Sequence, residues 1–273
     1  TRGAGLPPRA AAITIDDGYR DAYDIAFPIL RQRRMPATVF VVTDFMDRKA
    51  WMWPDKVRFL ALNTPMKQIA APVAGDQLCL ELSDLRARLA AAERVNAVLK
   101  RLPNTAKEEA IARLALTLDL PLPELPPAEF GPLTWEQARE MMAGQIEFGS
   151  HTVTHPILTR VDDAQLWHEM GESRSRIEAV LGKQANLFCY PNGDFDARVL
   201  RTAERAGYQC AVTTRHGLND GTVHPLALQR IDAERDLAHF VQSVSGFEQV
   251  KNKFRRARAV VSGKGAYECQ PMA

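Results

Sequence analysis

Two adjacent carboxylates form the first polar motif of the chain that could do chemistry, Asp16-Asp17-Gly18. They directly follow the apolar run of residues 10–15, which predicts a strand. Like charges this close together raise the pKa of one carboxyl group or recruit a cation. The same Asp-Asp-Gly sequence also forms ordinary turns. The motif by itself therefore allows either a functional pair of acids or a plain turn.

Two histidines, His151 and His155, lie four residues apart and are separated by Thr-Val-Thr. The β-branched residues between them, and Pro156 after them, favour a loop over the middle of a helix. Two neutral imidazoles from one loop can begin a zinc site, in which Zn–N distances are about 2.0–2.1 Å. Paired surface histidines that bind no metal are the alternative.

A turn sequence follows another apolar run and reads Tyr190-Pro191-Asn192-Gly193-Asp194. A turn at the end of a strand can direct backbone N–H groups into a pocket, where they stabilise an oxyanion. A β-turn without any catalytic role is the alternative interpretation.

Strands and helices must position these motifs, and the hydrophobic pattern of the sequence predicts where those elements lie. Near-continuous apolar runs predict strands buried on both faces, at residues 10–15, 37–42, 146–149, 187–190, 211–214 and 227–231. Helices are predicted at 21–34, 163–181 and 195–206, the first from the helical spacing of Ile25, Ile29 and Leu30. Alternating strands and helices are typical of an α/β fold with parallel strands.

Each polar motif follows a predicted strand, so the expected fold brings the three motifs together. In α/β barrels the active site forms at the carboxyl ends of the parallel strands. Two histidines and one carboxylate there would make a zinc site with one position open for water. A second, free carboxylate would then be placed to act as a base on that water.

The alternation of strands and helices breaks between residues 48 and 133, which we interpret as a helical insertion between the second and third strands. Helical patterns at 83–101 and 105–118 support this interpretation, and a proline cluster closes the segment. We expect the insertion to wall one side of the site and to influence specificity. Three tryptophans either pack the insertion against the barrel or form a platform for sugars: Trp51, Trp53 and Trp135.

We expect residues 1–273 to form a single domain that ends in a basic, helical tail at 249–273. The tail is either a solvated helix face or a contact for an acidic or membrane surface. The chain carries 35 Lys and Arg against 33 Asp and Glu, a formal net charge of +2. This balance argues against a nucleic-acid-binding protein. No apolar run approaches the ~18 residues that a membrane span needs.

Cysteine usage gives weak information about the compartment. The four cysteines are scattered and form no C-x-x-C pair, which favours free thiols over a disulfide framework or a zinc ribbon. Free thiols favour a reducing compartment such as the cytoplasm. The chain begins at Thr1 rather than Met, so the question whether the native N-terminus is longer stays open.

The three motifs, in this order, resemble those of the polysaccharide deacetylases, the NodB-homology group of carbohydrate esterase family four. They are TIDDG at 14–18, GSHTVTH at 149–155 and FCYPNG at 188–193. The resemblance covers roughly residues 10–48 and 133–232, and the segment between them is not part of the family's minimal pattern. It implies a distorted, incomplete (β/α) barrel and metal-dependent removal of N- or O-acetyl groups from sugars.

The resemblance also implies roles for individual residues. Asp16 matches the family's catalytic base, and the turn at Asn192 matches the position whose backbone N–H helps to hold the oxyanion. The ligands implied for one divalent metal ion, expected to be Zn²⁺, are Asp17, His151 and His155. The residues expected to line the substrate pocket are Tyr19, Tyr190 and Pro191.

The sequence departs from the family pattern at two places. Cys189 stands where many members have an arginine that tunes the catalytic aspartate, and the last strand lacks the usual general-acid histidine. Arg230, on that last strand, either replaces the missing arginine beside Asp16 or makes a structural ion pair. The general acid therefore stays open, with the remaining histidines as candidates: His168, His216, His224 and His239.

The sequence thus predicts a metal-dependent deacetylase whose partner is an N-acetylated sugar or polysaccharide. An O-acetyl esterase on the same scaffold is the first alternative, because an alkoxide leaving group needs less proton help than an amine. A non-catalytic carbohydrate-binding relative is the second alternative, and the intact acids and histidines argue against it. The identity of the sugar, the native metal and the oligomeric state stay open.

Overall fold

A computed structural model describes residues 10–233 and 236–247, so the predicted tail at 249–273 lies outside the described residues. The strands are β1 (Ile13–Ile15), β2 (Ala37–Val41), β3 (Gln68–Val73), β4 (Asp76–Glu81), β5 (Ile146–Ser150), β6 (Leu187–Cys189), β7 (Cys210–His216) and β8 (Leu228–Arg230). The α-helices are α1 (Phe27–Arg33), α2 (Thr43–Met46), α3 (Trp53–Asn63), α4 (Leu85–Leu99), α5 (Asn104–Thr117), α6 (Trp135–Ala143), α7 (Asp163–Leu181), α8 (Ala197–Arg205) and α9 (Leu237–Val244). Within the described ranges, no helix has both the length and the apolar character to cross a bilayer.

A six-stranded sheet in the order β1-β2-β5-β6-β7-β8 carries the fold, and every neighbouring pair is parallel. With the helices between its strands it forms a distorted, incomplete (β/α) barrel, as the sequence predicted. Strand β2 shows why these apolar runs become strands, since Val39, Phe40 and Val41 are at most 2% exposed. Burial on both faces is the environment in which a continuous apolar run is stable.

The register of the first strands brings their polar motifs to one rim. Ile15, the last residue of β1, pairs with Val39 of β2, and Val41 of β2 pairs with Ser150 at the end of β5. Gly149 permits this close packing, because a Cβ there would lie 2.7 Å from the Phe40 ring. The residues that follow β1 and β5 therefore emerge side by side.

The first predicted helix differs from its expected form. The residues Ala22–Ala26 make a π-helical turn before α1 begins at Phe27. This wider turn changes the helical register, so Phe27 and Leu30 are buried while Ile25 and Ile29 are 63% and 56% exposed. The apolar face predicted through Ile25 and Ile29 is therefore wrong, and the face that packs on the barrel runs through Phe27 and Leu30.

The segment at 48–133 is not purely helical. It contains α3, α4 and α5 but also the antiparallel hairpin of β3 and β4. These elements share an apolar cluster of their own, in which Leu60, Leu82 and Leu99 are fully buried. The hairpin was missed because its turn is Ala74-Gly75 rather than Asn-Gly, and because β3 contains a proline.

Candidate metal centre and active site

The rim at the carboxyl ends of the strands collects the side chains predicted to do chemistry. Asp16 and Asp17 follow β1 directly, and His151 follows β5. Cys189 is the last residue of β6, and Arg230 is the last residue of β8. Residues that are up to 214 positions apart in the sequence thus come within hydrogen-bond distance.

Asp17, His151 and His155 form a candidate metal site. The Nε2 atoms of the two histidines lie 3.4 and 3.5 Å from Oδ1 of Asp17. One ligand atom from each of the three residues lies within 4.8 Å of the others. In a tetrahedral site with metal–ligand bonds of about 2.0–2.1 Å, ligand atoms are about 3.3 Å apart. The two distances to Asp17 therefore fit a cation of the size of zinc.

The surroundings of the two histidines suit them for metal binding. Nδ1 of His151 lies 2.7 Å from the carbonyl oxygen of Cys189. Since a carbonyl can only accept, Nδ1 carries a proton and Nε2 faces Asp17. Burial would lower the pKa of His151, but the contact with Asp17 holds this pKa above its usual value, and a metal bound at Nε2 would displace a proton from that nitrogen. Burial lowers the pKa of His155 to about 4. His155 is therefore neutral at pH 7, which is the form that binds a metal.

The backbone around the site is held in an unusual conformation. Positive φ angles occur at Asp17 (73°), Thr152 (74°), His155 (60°) and Asn192 (58°). Residues other than glycine rarely adopt these angles, and such positions cluster at functional sites. The predicted motifs thus owe their side-chain directions to backbone turns that apolar periodicity does not reveal.

Glu169, on α7, holds the histidine loop and was not predicted from the sequence. Its Oε2 accepts hydrogen bonds from the backbone N–H groups of Val153 at 2.8 Å and Thr154 at 2.9 Å. Its Oε1 accepts a bond from the Thr154 hydroxyl at 2.5 Å. The side chain is only 1% exposed. A buried acid in the middle of a helix was the available signal, but only the fold shows that it faces this loop.

Replacing Glu169 with Ala is expected to lower both the stability and the metal affinity. The buried N–H of Val153 loses its acceptor, which costs about 1–3 kcal/mol. Residues that orient metal ligands typically contribute about 10–100-fold to affinity. Urea unfolding and zinc titration measure the two effects. The exposed Glu172→Gln variant on the same helix serves as the control, and equal zinc affinity in both variants would contradict this role for Glu169.

Arg230, on the edge strand β8, binds the predicted base Asp16. Its Nη1 and Nη2 atoms donate to the two carboxylate oxygens of Asp16 at 2.8 and 2.7 Å, a bidentate ion pair. Its Nε donates to the carbonyl oxygen of Thr213 at 2.8 Å, which fixes the guanidinium plane. Burial alone would raise the pKa of Asp16, but the Arg230 hydrogen bonds hold this pKa below its usual value. Asp16 is therefore ionised at neutral pH.

A second possible ligand group consists of Asp16, His151 and Cys189. The Cys189 Sγ atom lies 3.4 Å from Oδ2 of Asp16 and 3.5 Å from Nη2 of Arg230. Burial raises the pKa of the Cys189 thiol, which keeps it protonated. The positive guanidinium of Arg230, which is bound to Asp16, also repels a cation. These two effects favour the group that contains Asp17.

The turn after β6 has the predicted position, but its side chains have different environments. Asn192 is exposed, and its Nδ2 donates to Asp194 at 2.7 Å. Tyr190 is fully buried, and its hydroxyl donates to the carbonyl oxygen of Leu226 at 2.9 Å. Pro191 is buried too. Tyr190 thus belongs to the apolar core, and a substrate could meet only its backbone.

Tyr19 connects the aspartate motif to the segment at 48–133. Its hydroxyl donates a short hydrogen bond to Asp55 in the first turn of α3. Burial, and then the charge of Asp17, raises the pKa of Asp55 to about 6 despite this hydrogen bond. Tyr19 is half-buried at the rim, where it was predicted to line a pocket. Asp55 was not singled out from the sequence.

The tryptophans pack mainly as core residues. Trp51, Trp53 and Trp135 are between 7% and 9% exposed. Trp135 donates from Nε1 to Asp47 at 2.8 Å. The remaining two contribute edges to a cleft beside His155. A flat, open platform for sugar stacking is therefore not formed by these three residues.

The four remaining histidines are all exposed. His224 and His239 lie beside acids on the surface, Glu204 and Asp236. His168 lies on the outer side of α7. His216 is the last residue of β7 rather than a residue after it, and it pairs in register with Arg230. None of the four belongs to a possible metal-ligand group within the described ranges.

Comparison with known proteins gives one family. The family model for polysaccharide deacetylases matches residues 3–211 of this chain. The YxkH protein of Bacillus subtilis (strain 168), whose name assigns it to the same group, is 33% identical over 99 residues. That alignment covers 36% of this chain and 36% of the relative, so the chain matches only about a third of that protein's length.

Two solved structures have a similar fold. A de-N-acetylase from Aggregatibacter actinomycetemcomitans has a TM-score of 0.51 and 17% identity, covering 88% of this chain and 77% of its own. IcaB from Ammonifex degensii has a TM-score of 0.51 and 16% identity, covering 88% and 75%. At these identities the likeness concerns the fold alone. The family model, however, spans well over half of the sequence, and the chain is a member of the polysaccharide deacetylase family.

Proposed function

We propose that this protein hydrolyses acetyl groups on carbohydrates, using a divalent metal ion bound by Asp17, His151 and His155. The observation that carries the proposal is the Asp16 carboxylate, held by Arg230 beside this ligand group. An oxygen of Asp16 lies within 4.8 Å of a ring nitrogen of His151. A module that only binds sugars needs neither a metal site with an open position nor a base next to it.

The chain's own residues supply base, orientation and oxyanion contact in this mechanism. A metal bound at the three ligands would polarise the acetyl carbonyl and lower the pKa of water. Asp16 accepts a proton from the attacking water at a carboxylate oxygen. Arg230 keeps this carboxylate ionised and fixes its plane. The backbone N–H of Asn192 donates to the oxyanion as it develops on the acetyl group.

The Arg230–Asp16 ion pair predicts a specific change in the pH profile. Arg230→Met removes the groups that hold the pKa of Asp16 down, so this pKa rises. Asp16 then becomes protonated, and inactive as a base, at a higher pH. The acidic limb of the kcat/KM profile should therefore move to higher pH. Arg230→Lys keeps the charge but loses the bidentate geometry, and its shift should be smaller. Superimposable profiles for all three proteins would count against the tuning role.

An O-acetyl esterase is the second candidate function, and one observation favours it. The last strand carries Arg230 instead of a histidine, and the remaining histidines are exposed. An alkoxide leaves with less proton assistance than an amine, so an ester substrate suits a site that lacks a buried general acid. We retain the N-acetylated sugar as the first candidate, as the sequence motifs suggested.

Acetate release from two matched substrate series distinguishes these functions. One series consists of N-acetylglucosamine oligomers, and the other of O-acetylated xylose oligomers of the same lengths. Release from the first series supports the N-deacetylase, while release from the second alone supports the esterase. Binding of either series without acetate release would indicate a non-catalytic relative and would overturn the proposal.

A further inference from the structure

A cleft of about 620 Å³ lies beside the candidate metal site, between the histidine loop and the segment at 48–133. His155 forms part of its wall on the barrel side. On the other side it is lined by Trp51, Trp53 and the first turn of α5, including Lys107. A glycan whose acetyl group reaches the metal site would place a neighbouring group in this cleft.

Lys107 brings a buried positive charge to the cleft. The residue is only 2% exposed. Its Nζ lies 3.1 Å from Oδ1 of Asn104 and 4.5 Å from the centre of the Trp53 ring. Within the described part of the chain, no carboxylate oxygen lies within 4.0 Å of Nζ, so Lys107 forms no ion pair there. Burial lowers its pKa to about 8, so the ammonium group stays mostly charged at pH 7.

The helix that carries Lys107 adds to the positive potential. Helix α5 has 14 residues and begins after Pro103 without a side-chain cap. Its first backbone N–H groups have no partner inside the helix, and the helix dipole places partial positive charge there. A lysine in the first turn is unfavourable for the helix itself. Asn104 and Thr105, the first two residues of α5, line the same cleft.

A buried indole N–H without a partner is the independent sign of a missing ligand. Nε1 of Trp51 is buried and has no hydrogen-bond partner among the described residues. Trp51 itself is 7% exposed and lines the cleft. An indole N–H can only donate, and a buried donor without an acceptor is costly. The cleft thus combines a cation, a helix N-terminus and, in Trp51, a lining residue whose buried donor lacks an acceptor.

The other charged groups of the cleft largely neutralise one another. Lys56 pairs with Glu108 at 2.7 Å, and Lys49 pairs with Asp47 at 3.1 Å. Glu124 contributes an exposed carboxylate to the lining. Lys107 is therefore the buried charge of the cleft that lacks a carboxylate partner.

We propose that this cleft binds an anionic group of the glycan, with Lys107 as the residue that positions it. The inference rests on the proposed function, since it concerns a sugar next to the one that loses its acetyl group. The ligand chemistry is an anionic oxygen on a sugar ring substituent, either the carboxylate of a uronic acid or a sugar phosphate. Lys107, the α5 N-terminus and Trp51 donate to that oxygen.

Tryptophan fluorescence of the full chain tests this directly, because Trp51 and Trp53 report from the cleft. Three probes are titrated: D-glucuronate, D-glucose 6-phosphate and neutral D-glucose. We expect at least one anion to bind about 10-fold or more tightly than glucose, as charge-assisted hydrogen bonds predict. The anion that binds more tightly identifies the carboxylate or the phosphate as the source. Equal affinity for all three probes, or no binding of either anion, would overturn the inference.

Two variants assign the effect to this cleft. Lys107→Met should weaken anion binding by about 10- to 100-fold and leave glucose binding unchanged. Trp51→Phe keeps the ring but removes the donor, and should weaken anion binding by about 3- to 10-fold. The charge-matched control is Lys100→Met, an exposed lysine of the same segment outside the cleft lining. Wild-type anion affinity in Lys107→Met would place the anion elsewhere, including at the metal.

The outcome is separable from the proposed function. The binding measurement requires no turnover, so a failure to release acetate from any glycan would leave its result interpretable. Conversely, acetate release with Lys107→Met affinity unchanged would sustain the deacetylase proposal and reject the anion site.

Discussion

Replacing Asp16 with Asn is expected to lower kcat for acetate release by about 10²- to 10⁴-fold, the usual contribution of a positioned general base. The amide has nearly the same shape as the carboxylate and still accepts a hydrogen bond from Arg230. It cannot take a proton from the attacking water at neutral pH. The loss should therefore appear in kcat at saturating substrate, with little change in metal content. The unfolding temperature should fall, because Arg230 loses its ionic partner.

The control for Asp16→Asn is the same substitution at Asp21, an exposed acid five residues along the chain. Asp21→Asn changes the net charge equally and should retain wild-type kcat. The assignment of the base is rejected if Asp16→Asn keeps more than about a tenth of wild-type kcat. A loss accompanied by loss of bound metal would instead assign Asp16 to the metal site.

Replacing His151 with Ala is expected to abolish stoichiometric metal binding and, with it, nearly all activity. Three side chains supply the ligands, and His151 is almost fully buried at 3.4 Å from Asp17. With two ligands left, the site resembles no stable zinc site, since zinc centres keep three or four protein ligands. Elemental analysis should show about one metal equivalent in the wild type and close to none in the variant.

His168→Ala is the matched control, because it removes an exposed imidazole on α7 and should leave the metal content unchanged. Equal metal content in His151→Ala and wild type would place the metal outside both possible ligand groups, because His151 belongs to each of them. A second variant, Asp17→Asn, distinguishes the two groups from each other, because Asp17 belongs to only one of them.

The rim of the barrel could be predicted from sequence because its motifs follow strands with continuous apolar runs. Once the strands are parallel, Asp16, Asp17 and His151 have to meet at their carboxyl ends. Such predictions need only the order of elements along the chain. The contact between Arg230 and Asp16 needs more, because β1 and β8 are the two edges of the sheet and only the curvature of the barrel brings their carboxyl ends together.

What the sequence could not show depends on long-range packing. Glu169 looks like any acid on an amphipathic helix, and only the approach of α7 to the histidine loop makes it a buried acceptor. Asp55 meets Tyr19 because of how α3 docks on the rim. The π-helical turn before α1 leaves Ile25 and Ile29 exposed and buries Phe27 and Leu30, a change of register that no periodicity analysis detects.

For Tyr190, the predicted position of the backbone is found, but the side chain is buried in the core and does not line the substrate pocket. The motif places it at the end of β6, beside the proposed oxyanion contact at Asn192. Its ring, however, stacks against Phe195 with centroids 5.0 Å apart and fills the core. A family motif thus includes residues that shape the turn as well as residues that meet the substrate.

A zinc titration of chelator-treated enzyme, with acetate release as the readout, tests the proposed metal-dependent hydrolysis most directly. We expect no release without metal, a linear rise to about one equivalent, and a plateau beyond it, because one ion fills one three-ligand site. His151→Ala should show no rise over the same range. Undiminished acetate release from wild-type enzyme after verified removal of all metal would contradict hydrolysis by a metal bound at Asp17, His151 and His155.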